Sequence, residues 1–437
     1  MNKTKKRRTR KEAIMKYSRH AFCSTRGLKK PHFCSTQPLE KVEPNIPSGG
    51  GLRGPLGTPV KSGKTCKVTA IPDIDKDIDA IIDINAVRHN VKYLKQQSGT
   101  DLMTVLKANA YGHGIVEMAK ILRKIGIKYI GVATLGEAIL LRKSGDKGRI
   151  LAWLFDVDGH ELVDAFKLDI DVAIFDETTI PKFISRIPKN QNGKIKVTIF
   201  VDTGINRASV PYDKAIQAFI DVSKCPKIEL VGMMSHLVCS QIKNSPIVNE
   251  QLRKFRALRK ELEEIGIKPP LVHIANTNAC LNYDVSDFTL SRSGSGIYGL
   301  TEPQNKNMRL TTSLKSYVIQ TREVDKGQGI GYDWKYITPR KMRVCVLPIG
   351  YGDMLPRDMS LKMNVYINGT KRKVLGLLSM DQIVVESKNC DKVNDEAYIF
   401  GNGKNCPQTV VSFAEGSNQI PVEILSHMGD RVNRKYM

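Results

Sequence analysis

The chain lacks several things that would place it quickly. Across its 437 residues no apolar run reaches the roughly 18–20 residues that a membrane span needs. It has 34 Gly and 20 Pro but no collagen period, so a fibre is excluded. It has nine cysteines, odd in number and scattered, with no C-x-x-C pair. That argues against a disulfide framework and a zinc ribbon, and for a reducing compartment; no metal site is expected. A composition of 41% hydrophobic and 26% charged residues suits a chain that folds around a sizeable core, so full disorder is excluded too.

Acidic residues are scarce at one end. Residues 1–67 hold 17 Lys and Arg against 3 Asp and Glu, so +14 of the net +24 sits in this short leader. A basic chain suggests nucleic acid or an anionic surface, but a basic tail says little about the body behind it. The leader, residues 1–76, starts MNKTKKRRTRK and continues with Ser, Thr, Pro and Gly. It reads as a disordered, solvated tail. It has some transit-peptide character and no apolar signal core. Neither a membrane nor a nucleic acid is expected as a partner of the body. GTPVKSGKT, residues 57–65, places five residues between Gly57 and Gly63 where a phosphate loop has four, and no strand precedes it.

After Leu102 the pattern alternates. Short β-rich runs recur at Met103–Lys107, Tyr129–Ala133, Ile150–Phe155, Asp171–Phe175, Lys196–Val201, Leu230–Ser235, Leu271–Ala275 and Leu290–Tyr298. Helical spacing lies between them, as in Ile115–Ile125, where Ile115, Met118, Ala119, Leu122 and Ile125 share a face. Eight such units predict an α/β fold, a closed (β/α)8 TIM barrel. An open doubly wound sheet is the alternative, but no G-x-G-x-x-G follows the first strand. Beyond Leu310 short strands take over: Val318–Arg322, Met342–Pro348, Lys362–Ile367, Ile383–Glu386 and Ala397–Phe400. The partition is therefore a barrel over 77–310 and a C-terminal, mostly-β domain over 311–437.

Barrel chemistry belongs at the C-terminal ends of the strands. VLKANAYGHG (105–114) puts Lys107 there, ahead of a tight polar loop. A lysine at the end of a buried strand is costly unless paired or neutral, and a neutral amine is what a Schiff-base lysine requires. A head that merely reaches solvent is the plainer alternative, favoured by position alone. The polar loop tips the balance towards a site. SRSGSGIYG (291–299) offers glycine amides and hydroxyls beside Arg292, a segment able to cradle a phosphate, with Thr277 on the neighbouring strand. Alone it could be an ordinary turn. Asp202 to Arg207, His236, His273 and Asn276 fall at other strand ends. In the β domain GYDWKY, PIGYGD and LLSMDQI carry Tyr332, Tyr351 and Met380. Taken singly, such tyrosines usually serve packing.

Together these motifs resemble the alanine racemase family, fold-type III enzymes dependent on pyridoxal 5′-phosphate. The likeness runs from about Ala80 (AIIDINAVRHNV) to Arg434, with VLKANAYGHG, HIANTNA, RSGSGIYGL, PIGYGD and SMDQI in the family's order. It implies a cytoplasmic homodimer with a shared active site that interconverts L- and D-alanine for peptidoglycan. Lys107 matches the cofactor lysine and the base on the D-alanine side. Tyr332 matches the opposing base, lent by the other subunit. Arg292 matches the arginine facing the pyridine nitrogen. Tyr111, Thr277, Gly294 and Ser295 match phosphate positions, and His236, His273 and Asn276 complete the cofactor set. Arg207, Tyr351 and the backbone of Met380 match the surroundings of the substrate carboxylate.

Three positions depart from the family. Phe200 stands where many members have a lysine, often carbamylated, that holds the arginine matched by Arg207. Asp430 stands where some have a phosphate-contacting tyrosine. RSGS replaces the commoner RPGI or RFGI. These departures keep a broad-specificity amino-acid racemase (serine, for example) open as an alternative. A decarboxylase of the same fold type is the remoter one, since it normally carries an essential cysteine and other β-domain motifs. Racemisation needs a base on each face of a flat centre, and Lys107 and Tyr332 form the expected pair. Both side chains ordinarily titrate near ~10. Burial lowers a lysine but raises a tyrosine, so Tyr332 needs a nearby cation, for which Arg207 is the candidate.

Overall fold

The computed structural model describes residues 78–403 and 405–437. The leader expected over 1–76, with its GTPVKSGKT segment, lies outside these residues. Strand β1 (Ile78–Ile82) leads into helix α1 (Ile84–Ser98). Asp83 starts that helix by accepting a hydrogen bond from the Ala86 amide at 2.9 Å. Gly99 ends it in the left-handed region at φ 66°.

Eight parallel strands follow: β2 (Asp101–Val105), β3 (Tyr129–Thr134), β4 (Arg149–Leu154), β5 (Asp171–Ile174), β6 (Ile195–Phe200), β7 (Ile228–Met234), β8 (Leu271–His273) and β9 (Leu290–Ser293). They pair in the order β8-β7-β6-β5-β4-β3-β2-β9. The ring closes between β8 and β9 through the Thr289 amide on the Val272 carbonyl (3.1 Å) and the Arg292 amide on the Ala275 carbonyl (2.9 Å). Between the strands run α2 (Ile115–Lys124), α3 (Leu135–Lys143), α4 (His160–Lys167), α5 (Ile180–Arg186), α6 (Ala215–Ser223), α7 (Pro246–Glu264) and α8 (Thr277–Asn282). Helix α2 buries Ile115, Met118, Ala119 and Leu122, the face its spacing predicts. Inside the barrel Met103, Leu151, Ala173, Phe200, Met234 and Leu290 pack as one apolar cluster. The barrel is thus filled, and only its mouth is open.

Two of the strand ends that differ from expectation reposition site residues. Strand β2 stops at Val105, so Lys107 does not close the strand but opens the turn after it. Strand β9 stops at Ser293, and Ser295–Tyr298 form a 3-10 turn rather than more strand. Gly294, at φ −106° and ψ −82°, leaves the extended region and ends the pairing.

The second domain contains β10 (Thr312–Tyr317), β11 (Gln320–Val324), β12 (Gly329–Ile330), β13 (Tyr336–Ile337), β14 (Met342–Leu347), β15 (Asn364–Ile367), β16 (Thr370–Leu375), β17 (Ile383–Glu386), β18 (Glu396–Phe400) and β19 (Val432–Tyr436). Helices α9 (Val410–Ala414) and α10 (Pro421–Ser426) precede the last strand. Its main sheet runs β11-β14-β17-β16-β15-β18-β10-β1-β19. The first strand of the described residues therefore lies in the second domain, between β10 and β19, although a linear partition counts it with the barrel. Four of its five residues are buried, as expected of a strand paired on both edges and packed on both faces. Among the described residues no helix is long and apolar enough to cross a membrane.

Candidate active site

At the C-terminal end of the barrel lies a cavity of about 240 Å³. Of the expected site residues, Lys107, Tyr111, Arg207, His236, Asn276, Thr277, Arg292, Gly294 and Ser295 all line it. Val105, Trp153, Phe200, Met234 and Asn278 complete the wall.

Lys107 enters on an unusual backbone. Ala108, Asn109, Ala110 and Tyr111 are four successive non-glycine residues with φ between 51° and 57°. Left-handed helical backbone costs an L-residue roughly 1–2 kcal/mol. Such strain persists only where the surroundings over-determine it, and it gathers at functional sites. Here the surroundings are specific. The Asn109 side chain accepts from the Ile115 amide at 2.8 Å and so starts α2. Arg434 Nε donates to the Gly112 carbonyl at 2.7 Å, and the Tyr436 hydroxyl to the His113 carbonyl at 2.7 Å. Gly112 has no room for a side chain: a Cβ there would lie 2.0 Å from the Leu425 carbonyl oxygen. His113 stacks on Tyr298 with ring centroids 3.8 Å apart. The β domain thus grips the loop that carries the barrel's lysine.

Lys107 is exposed as a residue at the pocket mouth, while its amine end is partly screened by the cavity wall. Burial, and then the Arg207 charge, lower its pKa, while Glu137 opposes them. That favours the neutral, nucleophilic amine.

Arg292 sits on β9 with every contact on the protein side. One Nη donates to His273 Nδ1 (2.7 Å) and the His273 carbonyl (2.9 Å). The other donates to the Ser235 carbonyl (2.5 Å) and His236 Nδ1 (3.2 Å). Because arginine only donates, both Nδ1 atoms must be acceptors, and each neutral ring carries its proton on Nε2. Burial and the Arg292 charge hold His273 well below the ordinary histidine range and His236 at about 3. Burial also lowers Arg292, to about 10, which leaves it charged near neutrality. His273 does not line the cavity; it lies behind Arg292, with its Nε2 buried and unpartnered.

Beside Arg292 the chain is stripped of side chains where it turns. A Cβ on Gly294 would lie 2.0 Å from the Tyr111 hydroxyl, and one on Gly296 would lie 2.5 Å from Thr277. The Thr277 hydroxyl bonds Ser293 Oγ at 2.9 Å and accepts from the Gly296 amide at 3.3 Å. Hydroxyls, a glycine-cleared turn, the Lys107 amine and two guanidiniums (Arg207 and Arg292) therefore border one small cavity. That donor set suits an anion, and its cations suit more than one negative charge.

Phe200 stands in place of the family's lysine, and the Arg207 loop is held by the side chains of Asp202 and Ser209 instead. Asp202 Oδ1 accepts from the Gly204 amide (2.7 Å) and the Asn206 amide (3.2 Å). Ser209 Oγ bonds both Asp202 Oδ2 (3.1 Å) and the Arg207 carbonyl (2.6 Å). Phe200 packs into the barrel's apolar cluster below. Asp430 is exposed.

Tyr332, Tyr351 and Met380 are not brought to this cavity. They are 63%, 38% and 52% exposed on the β domain, with Trp334 beside Tyr332 at 64%. Asp353 braces the loop of Tyr351 by accepting from the Gly350 amide at 2.8 Å. Arg431 in turn contacts both Asp353 and Asp381, next to Met380.

Trp153, Met234 and Asn278 were not foreseen. Trp153 and Met234 sit in apolar strand ends, where a wall residue looks like core. Gly131 marks the space: a Cβ there would come within 3.0 Å of the Trp153 ring. Glu137 was also missed; its spacing is that of a helix cap.

Known proteins share this fold. Residues 82–302 match the family model "Alanine racemase, N-terminal domain", and residues 311–436 match "Alanine racemase, C-terminal domain". The curated alanine racemase of Thermobifida fusca (strain YX) is 30% identical over 367 residues, covering 82% of this chain and 97% of that protein. That of Mycolicibacterium smegmatis is 31% identical, covering 82% and 94%. Among solved structures, the alanine racemase of Streptomyces coelicolor A3(2) has a TM-score of 0.77 at 29% identity, covering 83% of this chain and 98% of that one. The alanine racemase of E. faecalis has a TM-score of 0.76 at 27% identity, covering 84% and 99%. With both halves matched in order over one continuous fold, the chain belongs to the alanine racemase family.

Proposed function

We propose that the protein interconverts L- and D-alanine with pyridoxal 5′-phosphate, working as a homodimer. The observation that carries this reading is the convergence of Lys107, Arg292, Arg207 and the glycine-cleared turn at Gly294 and Gly296 on one cavity. The residues fit the cofactor. Tyr111, Thr277, Ser295 and the amides near Gly294 would hold its phosphate. Arg292, fixed by two histidines and two carbonyls, would meet the ring nitrogen with a proton it does not give up. Lys107 would hold its carbonyl end. Once bound, the cofactor supplies the electron sink that acidifies the amino acid's α-hydrogen.

The chain's own groups do the rest. Arg207 would pair with the substrate carboxylate, at a place where a second anion is needed beside the phosphate. Lys107 Nζ would take or return the proton on one face. For the opposite face, Tyr332 of the partner subunit would serve as the base, and its exposure in the single chain supports this. Trp153, Phe200 and Met234 keep water from the cavity floor. The product D-alanine suits peptidoglycan synthesis in a bacterial cytoplasm.

The test is an assay of enantiomer interconversion over L-alanine, L-serine and basic amino acids, with and without added cofactor. We expect alanine to be racemised in a cofactor-dependent way without release of CO2. Faster serine turnover would shift the assignment to a broader racemase, and CO2 release would replace it with decarboxylation.

A further inference from the structure

We propose that Glu137 is the positioning residue of Lys107: its carboxylate ties the first amide of the left-handed turn to the end of strand β3 and places a negative charge beside the pocket's cations. This rests on the reading of Lys107 as the reactive amine.

The turn is braced at several points, but the others lie downstream. Asn109, Arg434 and Tyr436 hold its middle and exit. Next to Lys107 itself, the Ala108 amide donates to Glu137 Oε1 at 2.6 Å. Glu137 Oε2 accepts from the Ala133 amide at 2.9 Å and the Thr134 amide at 3.2 Å. A helix cap explains only the last of these, together with the Glu137 amide on Thr134 Oγ1 at 3.3 Å. The bond to Ala108 reaches 29 residues back along the chain and has no part in capping α3. One carboxylate, an acceptor on both oxygens, thus joins two elements through three amides. Glutamine cannot copy this. Its NH2 would face an N–H at one end or the other, so one connection must break. Aspartate keeps the charge but is one methylene short of spanning the gap.

The charge has a direction as well. The groups that bear on Lys107 are Arg207, from the loop after β6, and Glu137, from α3; Lys107 in turn acts on His236, after β7. Burial and Arg207 push the lysine towards neutrality, and Glu137 alone of these raises it. Glu137 therefore sets how far the amine is driven, as well as where it points.

The experiment compares the full-length protein with Glu137→Gln, Glu137→Asp and, as a cap control, Thr134→Ala. Lys107 is first freed of cofactor with hydroxylamine. Its reactivity is then followed by acetic anhydride labelling across pH, with peptide mass spectrometry. This readout needs neither activity nor bound cofactor, so it stands even if the assignment of the reaction fails. In Glu137→Gln the Lys107 labelling midpoint should move to lower pH by roughly half a unit or more. The same variant should lose about 10- to 100-fold in kcat with KM little changed. Thr134→Ala, which loses only the cap bond, should lower thermal stability without moving the midpoint. Glu137→Asp should restore the midpoint but not kcat. Coincident labelling curves for wild type and Glu137→Gln would overturn the proposal, as would a Thr134→Ala curve displaced as far as that of Glu137→Gln.

Discussion

The barrel mouth and the exposed face of the β domain are opposites within one chain. At the mouth, polar groups are committed: Arg292 has four partners, and the turn after Lys107 is tied down by Asn109, Glu137, Arg434 and Tyr436. On the β domain, Tyr332 and Trp334 stand in solvent on the short β12–β13 hairpin. The Trp334 ring covers Gly329 so closely that a Cβ there would lie 2.0 Å from it. The first region is finished within the chain. The second is shaped and aromatic but uncovered, which is the composition of an interface core. On the proposed reading, preorganisation and exposure divide the labour of one site: folding builds the half that would hold the cofactor, and association would bring the second base.

The sharpest way to break that comparison is to mix two inactive variants. Lys107→Ala should abolish activity and cofactor retention, and Tyr332→Phe should lower turnover by about 10²–10⁴-fold with the cofactor kept. Mixed and re-equilibrated, the two chains should regain part of the wild-type rate. A mixed dimer pairs an intact Lys107 from one chain with an intact Tyr332 from the other. No recovery would put both bases in one chain and end the division.

A smaller effect is expected at the aromatic hairpin. Trp334→Ala should weaken self-association by about 2 kcal/mol or more, measured by sedimentation against concentration. The unfolding temperature of the dilute chain should hardly change. A variant that melts early but assembles normally would make Trp334 a packing residue.

The smallest effect concerns the finished half alone. Burial holds His113 at about 4, His236 at about 3 and His273 well below the ordinary range. Unfolded histidine titrates near ~6.5. Their folded values are depressed, so the stability they contribute is complete above that pH and is lost as pH falls towards about 4. Each proton steepens the loss by about 1.4 kcal/mol per pH unit. Asp171, raised to about 6 by burial against the pull of Arg149, works the other way and offsets part of it. Urea midpoints of the cofactor-free protein should therefore fall from pH 6.5 to pH 4.5, and His113→Asn should flatten the slope. Equal slopes would show that His113 is protonated in the fold.

Much of this was legible beforehand, for local reasons. Eight apolar runs with helical spacing between them bury both faces in a closed barrel or an open doubly wound sheet; the lack of a G-x-G-x-x-G after the first strand favours the barrel, and the strand ends then fall where the motifs sit. The arginine, glycine and hydroxyl cluster on and just after β9 could be read as an anion site because backbone access and donors lie within nine residues. What escaped was long-range. Strand β1 precedes the barrel in the chain but pairs with β10 and β19, which lie more than two hundred residues further along the chain. The left-handed turn was illegible because Ala108 and Ala110 carry no mark of positive φ. Only the groups around them reveal it, among them the carboxylate of Glu137 and the side chains of Arg434 and Tyr436.

By itself, then, the sequence determined the barrel, the β domain and the roster of reactive side chains, because periodicity and residue chemistry act over short stretches of chain. The tertiary structure decided which of those side chains meet. It placed Lys107, Arg207 and Arg292 around one cavity and left Tyr332 outside it. Distances between segments depend on how whole elements pack, and no local pattern encodes that.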